Sequence, residues 1–323
     1  MPDVFVSTGH LAPTADVRRI LDDTWTEVSA DVGGANSEVY PALAVADPDQ
    51  FGLCVVATDG RVFDAGDAYA GFALMSVAKP FTFALVCAHL GAERARRELG
   101  VNATGQGFNA VEPVVSAPGG RTNPMVNAGA MATCSRLPGD GVEAQWTHLR
   151  AGLSAFAGRE LVLDDGLYRN VSATNLRNRE IVSALERQGA LATGPDAALE
   201  LYTRQSSLWV TAHDLAVMGA TLAGGGSNPV TGEQVIPSEL CHHVLAVMAT
   251  AGMYEHSGDW LYDVGLPGKS GIGGGVVTVS PGKGGLGSFS PRLDAAGNSV
   301  RGVRAAARLS RELGLDLFAS RPA

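Results

Sequence analysis

The amino-acid order predicts an α+β fold, an antiparallel sheet flanked by helices and interrupted by an inserted helical lobe. Three observations carry that expectation: β-prone hairpins near both ends, helical periodicity through the middle, and an amphipathic helix at each end. Neither hairpin can bury a face alone, so strands from both ends must share one sheet. The chain is read as one domain, residues 1–323. Its α/β lobe comes from about 1–75 and 255–323, and its helical lobe from about 76–254.

Each element follows from local pattern. Residues 14–30 set Val17, Ile20, Leu21, Trp25 and Val28 at helical spacing. Phe51–Ala57 and Arg61–Asp64 are short β-prone runs around Asp59-Gly60, a strong hairpin signal, and a Gly66-Asp67 turn follows. Helical stretches are expected at 80–99, 175–189, 196–206 and 211–224, separated by Gly, Asn and Pro turns. Val276–Gly282 and Gly285–Pro291 read as adjacent antiparallel strands, and Ser299–Leu313 as a closing helix with Val303, Ala306, Leu309 and Leu313 on one face.

Composition narrows the function classes. A formal net charge of −9 and the lack of a basic stripe argue against nucleic acid as a partner. The opening residues carry no basic region followed by an apolar one, and no run of about 18 apolar residues occurs anywhere, so neither secretion nor a membrane span is expected. Cys54, Cys87, Cys134 and Cys241 lie far apart among apolar neighbours, which fits buried free thiols in a reducing cytoplasm. The seven histidines show no ligand spacing; the adjacent His242-His243 would point in different directions along a helix, and no metal is expected.

Ser76-Val77-Ala78-Lys79 is the first candidate for chemistry. It follows a β-prone approach and opens a helix near Pro80, a residue tolerated in a first turn. Three apart on a helix, Ser and Lys share a face with Cβ atoms about 5–6 Å apart. A desolvated lysine can then take the hydroxyl proton, and the helix N-terminus, with the N–H of Ser76, favours a developing oxyanion. Alone the pair is weak, because a helix cap followed by an exposed lysine gives the same letters. Lysine usage shifts the balance: Lys79, Lys269 and Lys283 are the only lysines among 24 basic residues, so arginine is the default cation here.

Lys269-Ser270-Gly271 is the second candidate. Entering a strand beside a Ser-x-x-Lys helix, such a triplet forms the other half of a β-lactamase-type site, with a following backbone N–H completing an oxyanion hole. A phosphate loop is not supported, since Gly265 leaves too few residues before Lys269. Tyr254, between glycine and polar turn residues, suits either a proton shuttle or ordinary packing. Asn123, Asn127 and Asn178 suit either grip on a carboxylate or helix capping.

These residues converge on a known family. From about residue 30 to 308 the chain resembles the serine-dependent glutaminases, in PALAVADPDQFG, SVAKPFTFAL, NPMVNAGA, LYTRQSSLWVTAHDLAVMGATLAGGG, AVMATAGMYEHSGDWLYDVGLPGKSGIGGG and GLGSFSPRLDAAGNSVRGV. The blocks keep the family's order and spacing. The resemblance implies a β-lactamase/DD-peptidase-like fold, with Ser76 as nucleophile, Lys79 as its base and Tyr254 assisting proton transfer. It implies that Asn127, Asn178, Tyr202 and Ser270 serve the substrate and that the N–H of Ile272 helps form the oxyanion hole. It further implies hydrolysis of the side-chain amide of glutamine to glutamate and ammonia, no cofactor, and a homodimer or homotetramer.

The departures from the family pattern sit in the pocket. Val39-Tyr40-Pro41 stands where the family has Tyr-Ile-Pro, so Val39 takes the pocket tyrosine's place unless a local shift lets Tyr40 substitute. Asn170-Val171 stands where the family has Ser-Glu, and Met75 where it has Gln. That glutamate pairs with the substrate's α-ammonium in the family, and loss of such a partner typically costs about 2–5 kcal/mol. Hydrolysis of L-glutamine is the expectation that the resemblance carries. The alternatives are an amidase or acyl-transfer enzyme for a glutamine-like amide without a free α-ammonium, or a catalytically weak binding protein; an intact Ser76, Lys79 and Tyr254 speak against the last.

Overall fold

The computed structural model describes residues 11–319. The chain enters through α1 (Thr14–Ser29) and the short α2 (Pro41–Ala44). A hairpin of β1 (Gly52–Ala57) and β2 (Val62–Gly66) follows, and then β3 (Phe72–Ala73). A 3-10 turn, Met75–Ala78, leads into α3 (Lys79–Leu90) and α4 (Ala92–Leu99). The helical middle continues with α5 (Glu112–Ser116), α6 (Asn127–Cys134) and α7 (Val142–Ala157). After β4 (Val162–Leu163) come α8 (Asp165–Thr174), α9 (Leu176–Arg187) and α10 (Pro195–Ser206). Beyond β5 (Leu208–Val210) lie α11 (Ala212–Ala223), α12 (Ser238–Ala251) and α13 (Ser257–Val264). The chain closes with β6 (Gly268–Ser270), β7 (Gly275–Ser280), β8 (Gly284–Phe289) and α14 (Val300–Glu312).

The antiparallel sheet runs β2-β1-β8-β7-β6, so strands from the two ends of the chain meet at its centre. Its first hairpin turns where expected, with Gly60 at φ 86 and the Gly60 N–H donating to the Ala57 carbonyl. Strand alternation sorts β1 between two cores. Leu53 and Val55 join Val17, Ile20, Leu21 and Leu309 on the α1/α14 side, while Cys54 and Val56 meet Ala216, Val217 and Ala220 of α11 on the other. Helix α11 lies so close to β8 that a Cβ at Gly287 would stand 2.0 Å from the Ala212 carbonyl oxygen. Gly285, where a Cβ would lie 2.3 Å from the Ala216 carbonyl oxygen, and Gly287 are thus a requirement of packing rather than a weakness.

Two features depart from the sequence reading. The single helix expected at 80–99 is two helices, because Gly91 at φ 82 ends α3 and its N–H caps back onto the Cys87 carbonyl. A small second sheet, β3-β5-β4, was not foreseen; it ties the approach to Ser76 to the helical region. The sheets meet where Phe72 stacks on Phe289, ring centroids 4.1 Å apart and 2° from parallel. All four cysteines are buried and free. Among the described residues no single helix is long and apolar enough to cross a membrane, and no group of three or more His, Cys, Asp or Glu is placed to hold a metal.

Candidate active site

Ser76 sits in the 3-10 turn between β3 and α3. The turn is anchored upstream by the Leu74 N–H, which donates to the Leu208 carbonyl at 2.9 Å. Met75 takes φ 45, a left-handed conformation that a side-chain-bearing residue adopts at a cost of order 1–3 kcal/mol. Tyr254 is the other non-glycine residue of positive φ among those described, at 55. The two backbone outliers flank the candidate nucleophile on different elements.

Lys79 opens α3 and is 1% exposed. Its Nζ donates to Asn127 Oδ1 at 2.7 Å. Burial brings its pKa from 10.5 down to about 7, with a weak opposing influence from the Cys134 thiol. A lysine this deep is neutral in a large share of molecules at neutral pH, as a base must be. Tyr202 and Tyr254 face the Ser76 hydroxyl from two sides. Burial raises both phenols, and the hydrogen bond with Ser76 works against the rise; Tyr254 is pushed up to about 12.

The edge strand β6 brings in the second motif. Lys269 is fully buried, its Nζ donating to the carbonyls of Gly252 at 2.7 Å and Ser270 at 2.6 Å. It lies 4.1 Å from the centre of the Tyr254 ring, and burial holds its pKa well below the usual lysine value. The Ser270 carbonyl also accepts the Tyr254 hydroxyl at 3.2 Å, so one oxygen registers both groups. A Cβ on Gly271 would lie 3.2 Å from the Ser76 nitrogen, which measures how closely the strand passes the nucleophile's backbone.

Beside Ser76 opens a pocket of about 90 Å³. Of the residues singled out by sequence, Val39, Asn127, Val171, Asn178, Tyr202 and Ile272 line it together with Ser76. Val39 is 59% exposed at the mouth, whereas Val171 is buried in the wall. Two expectations divide from the rest. The Ser270 side chain is fully buried and donates to Asn298 Oδ1 at 2.5 Å, so it is held within the fold rather than offered to a substrate. Asn123 holds the loop before α6 and caps no helix: its Oδ1 accepts the Met125 N–H and its Nδ2 donates to the Asn102 carbonyl.

Sequence reasoning missed one buried residue of the pocket wall, Asn175. Its Oδ1 accepts Asn178 Nδ2 at 2.5 Å and the Tyr40 hydroxyl at 3.3 Å, and its Nδ2 donates to Thr203 Oγ1 at 3.1 Å. Asn127 Nδ2 donates to Asn178 Oδ1 at 2.9 Å, so an unbroken amide chain runs from Lys79 through Asn127 and Asn178 to Asn175. The available signal was the i, i+3 spacing of Asn175 and Asn178. Tyr40 belongs to the same wall, which answers the question posed by Val39-Tyr40-Pro41: the residue after Val39 carries its hydroxyl into the pocket lining.

A Ser-x-x-Lys turn and a Lys-Ser-Gly edge strand, facing each other across a sheet-and-helix junction, belong to a β-lactamase-like fold. The glutaminase family profile matches residues 34–318. The chain is 55% identical over 318 residues to Glutaminase 2 of Yersinia pestis, covering 98% of this chain and 94% of that protein. The solved structure of ybaS, named a probable glutaminase, superposes with a TM-score of 0.94 at 37% identity, over 96% of this chain and all of that one. A Bacillus glutaminase superposes at 0.83 with 30% identity, over 92% and 98%. The chain belongs to the glutaminase family.

Proposed function

We propose that the protein is a serine amidohydrolase that releases ammonia from the side-chain amide of glutamine, leaving glutamate. The observation that carries this is the buried, carboxylate-free Lys79, brought to a pKa of about 7 in the turn that bears Ser76. In this scheme neutral Lys79 takes the Ser76 proton as Oγ bonds to the amide carbon. The oxyanion is held by the N–H groups of Ser76 and Ile272. The C–N bond breaks as Tyr254 gives its proton to the departing nitrogen and recovers one from Lys79, so ammonia leaves and an ester remains on Ser76. Water then adds to that ester, the acyl–oxygen bond breaks, and the carboxylic product departs with Ser76 restored. No step calls on a metal or cofactor.

Asn127, Asn178 and Tyr202 serve the substrate in this reading. A homodimer or homotetramer working in the cytoplasm belongs to it as well, supported by the four buried free thiols and the family resemblance. The decisive experiment measures ammonia release from glutamine amides, free and N-acylated, alongside intact-mass detection of an acyl adduct that Ser76→Ala lacks. Release of ammonia from neither amide would sink the hydrolytic reading.

A further inference from the structure

We propose that the pocket selects a glutamine whose α-nitrogen is acylated, an amide that enters as an anion rather than as a zwitterion. The inference rests on the hydrolytic reading of the same site and adds the class of substrate.

The wall around the substrate position is apolar on one side and neutral-polar on the other. Met75 and Val171 are 3% and 2% exposed and pack in one buried cluster with Tyr40, Leu43, Ala73 and Leu167, with Ile272 against it. The opposite wall is the amide chain of Asn127, Asn178 and Asn175, joined by the hydroxyls of Tyr40, Tyr202 and Thr203. These groups satisfy one another and carry no charge. The ionised side chain that lines the pocket is Arg177, a cation, which bonds Glu180 at 2.8 Å and the Asn109 carbonyl at 2.9 Å. The other nearby base, Lys79, also gains positive charge when it ionises.

A primary ammonium placed there meets methyl groups and a thioether on one wall and neutral amides and hydroxyls on the other. Among the described residues the lining holds no carboxylate, and its Arg177 is already paired with Glu180. Of the carboxylates that act on the Tyr254 phenol, Asp294 faces His256 at 3.6 Å and accepts the N–H groups of Ala296 and Asn298, while Glu255 lines a separate cavity. Neither lines this pocket. Burying an uncompensated ammonium is costly, whereas an acylated nitrogen is an ordinary amide that needs one acceptor and tolerates apolar neighbours. Acylation also leaves the α-carboxylate as the substrate's sole charge, and the described lining holds no carboxylate to repel it. The chemistry at Ser76 is unchanged: water is consumed, ammonia leaves, and the product is the N-acylated glutamate.

Two measurements on the full chain test this. Ammonia release is followed from L-glutamine and from N-acetyl-L-glutamine, and the binding of both to Ser76→Ala is measured by calorimetry. The expected result is a kcat/KM and an affinity at least tenfold higher for the acetylated amide, with Val171→Glu narrowing or reversing both ratios. Equal or better turnover and binding of free glutamine would overturn the proposal, as would binding of neither. If neither amide is hydrolysed but Ser76→Ala still prefers the acetylated one tenfold, the hydrolytic reading fails and the pocket's selectivity stands. Should Val171→Glu not fold, the wild-type ratio and the Ser76→Ala affinities decide.

Discussion

Asn127 Oδ1 accepts two donors, the Lys79 ammonium nitrogen at 2.7 Å and the Tyr202 hydroxyl at 3.0 Å. Both bonds point into an oxygen whose own amide nitrogen is committed to Asn178. A neutral lysine that spends an N–H on Asn127 has its lone pair free for another proton. The arrangement therefore orients Lys79 as well as burying it, and the pH dependence of the proposed mechanism follows directly.

Activity should rise about tenfold per pH unit below about 7 and level off above it, as Lys79 loses its proton. A pH–rate profile of kcat/KM from 5.5 to 9 checks this, and a flat profile would remove Lys79 as the base. Stability should also climb with pH between about 7 and 10.5, because in that window the unfolded lysine holds a proton that the folded one does not. Lys79→Met should weaken that slope in denaturant titrations without abolishing it, since Lys269 is lowered for the same reason.

Tyr254→Phe should keep the fold, because the ring retains Phe108 at 4.4 Å and Lys269 at 4.1 Å. The lost hydroxyl should lower kcat by about 10²–10⁴-fold with little change in KM. With a pKa of about 12, Tyr254 remains a proton donor across the working range, so the high-pH limb should stay flat to at least 9. A comparable loss in KM would mean that the residue binds substrate instead.

Asn175→Ala leaves Asn178 Nδ2, the Tyr40 hydroxyl and Thr203 without a shared partner. A buried donor left unsatisfied costs about 1–3 kcal/mol, so the unfolding free energy from urea titration should fall by that amount. KM should rise more than kcat falls, since the damage reaches the pocket before it reaches Lys79. Unchanged stability would show that the pocket polar groups do not act as one chain.

Phe289→Ala removes one ring of the stacked pair that joins the two sheets, at a position 2% exposed. A loss of about 3–5 kcal/mol is expected from urea titration, as for buried aromatic residues in general. Ammonia release per folded molecule should fall as well, because Phe72 leads directly into the Ser76 turn.

The large sheet was legible because its strands carry their own local signals: Asp59-Gly60 sets the first hairpin, and the apolar run from Val276 makes β7 a strand whatever surrounds it. The Ser76 and Lys269 motifs were legible for the same reason, each being a short contiguous pattern. The break at Gly91 was not, since apolar periodicity continues on both sides and one glycine decides it. Strands of two or three residues such as β3 and β5 have no alternation to read. Asn175 offered only its i, i+3 spacing to Asn178, because its place in the wall comes from Tyr40, 135 residues away in the chain.

The central pairing of β1 with β8 sets a timetable for biosynthesis. A ribosome releases the first hairpin, Ser76 and Lys79 early, but β1 waits for its second neighbour until Phe289 has emerged. Lys269, Gly271 and Ile272 arrive in that same late stretch, so on the proposed mechanism the nascent chain holds Ser76 with no strand beside it to receive an oxyanion. Translation cut short anywhere before that point yields a silent fragment rather than an unrestrained hydrolase.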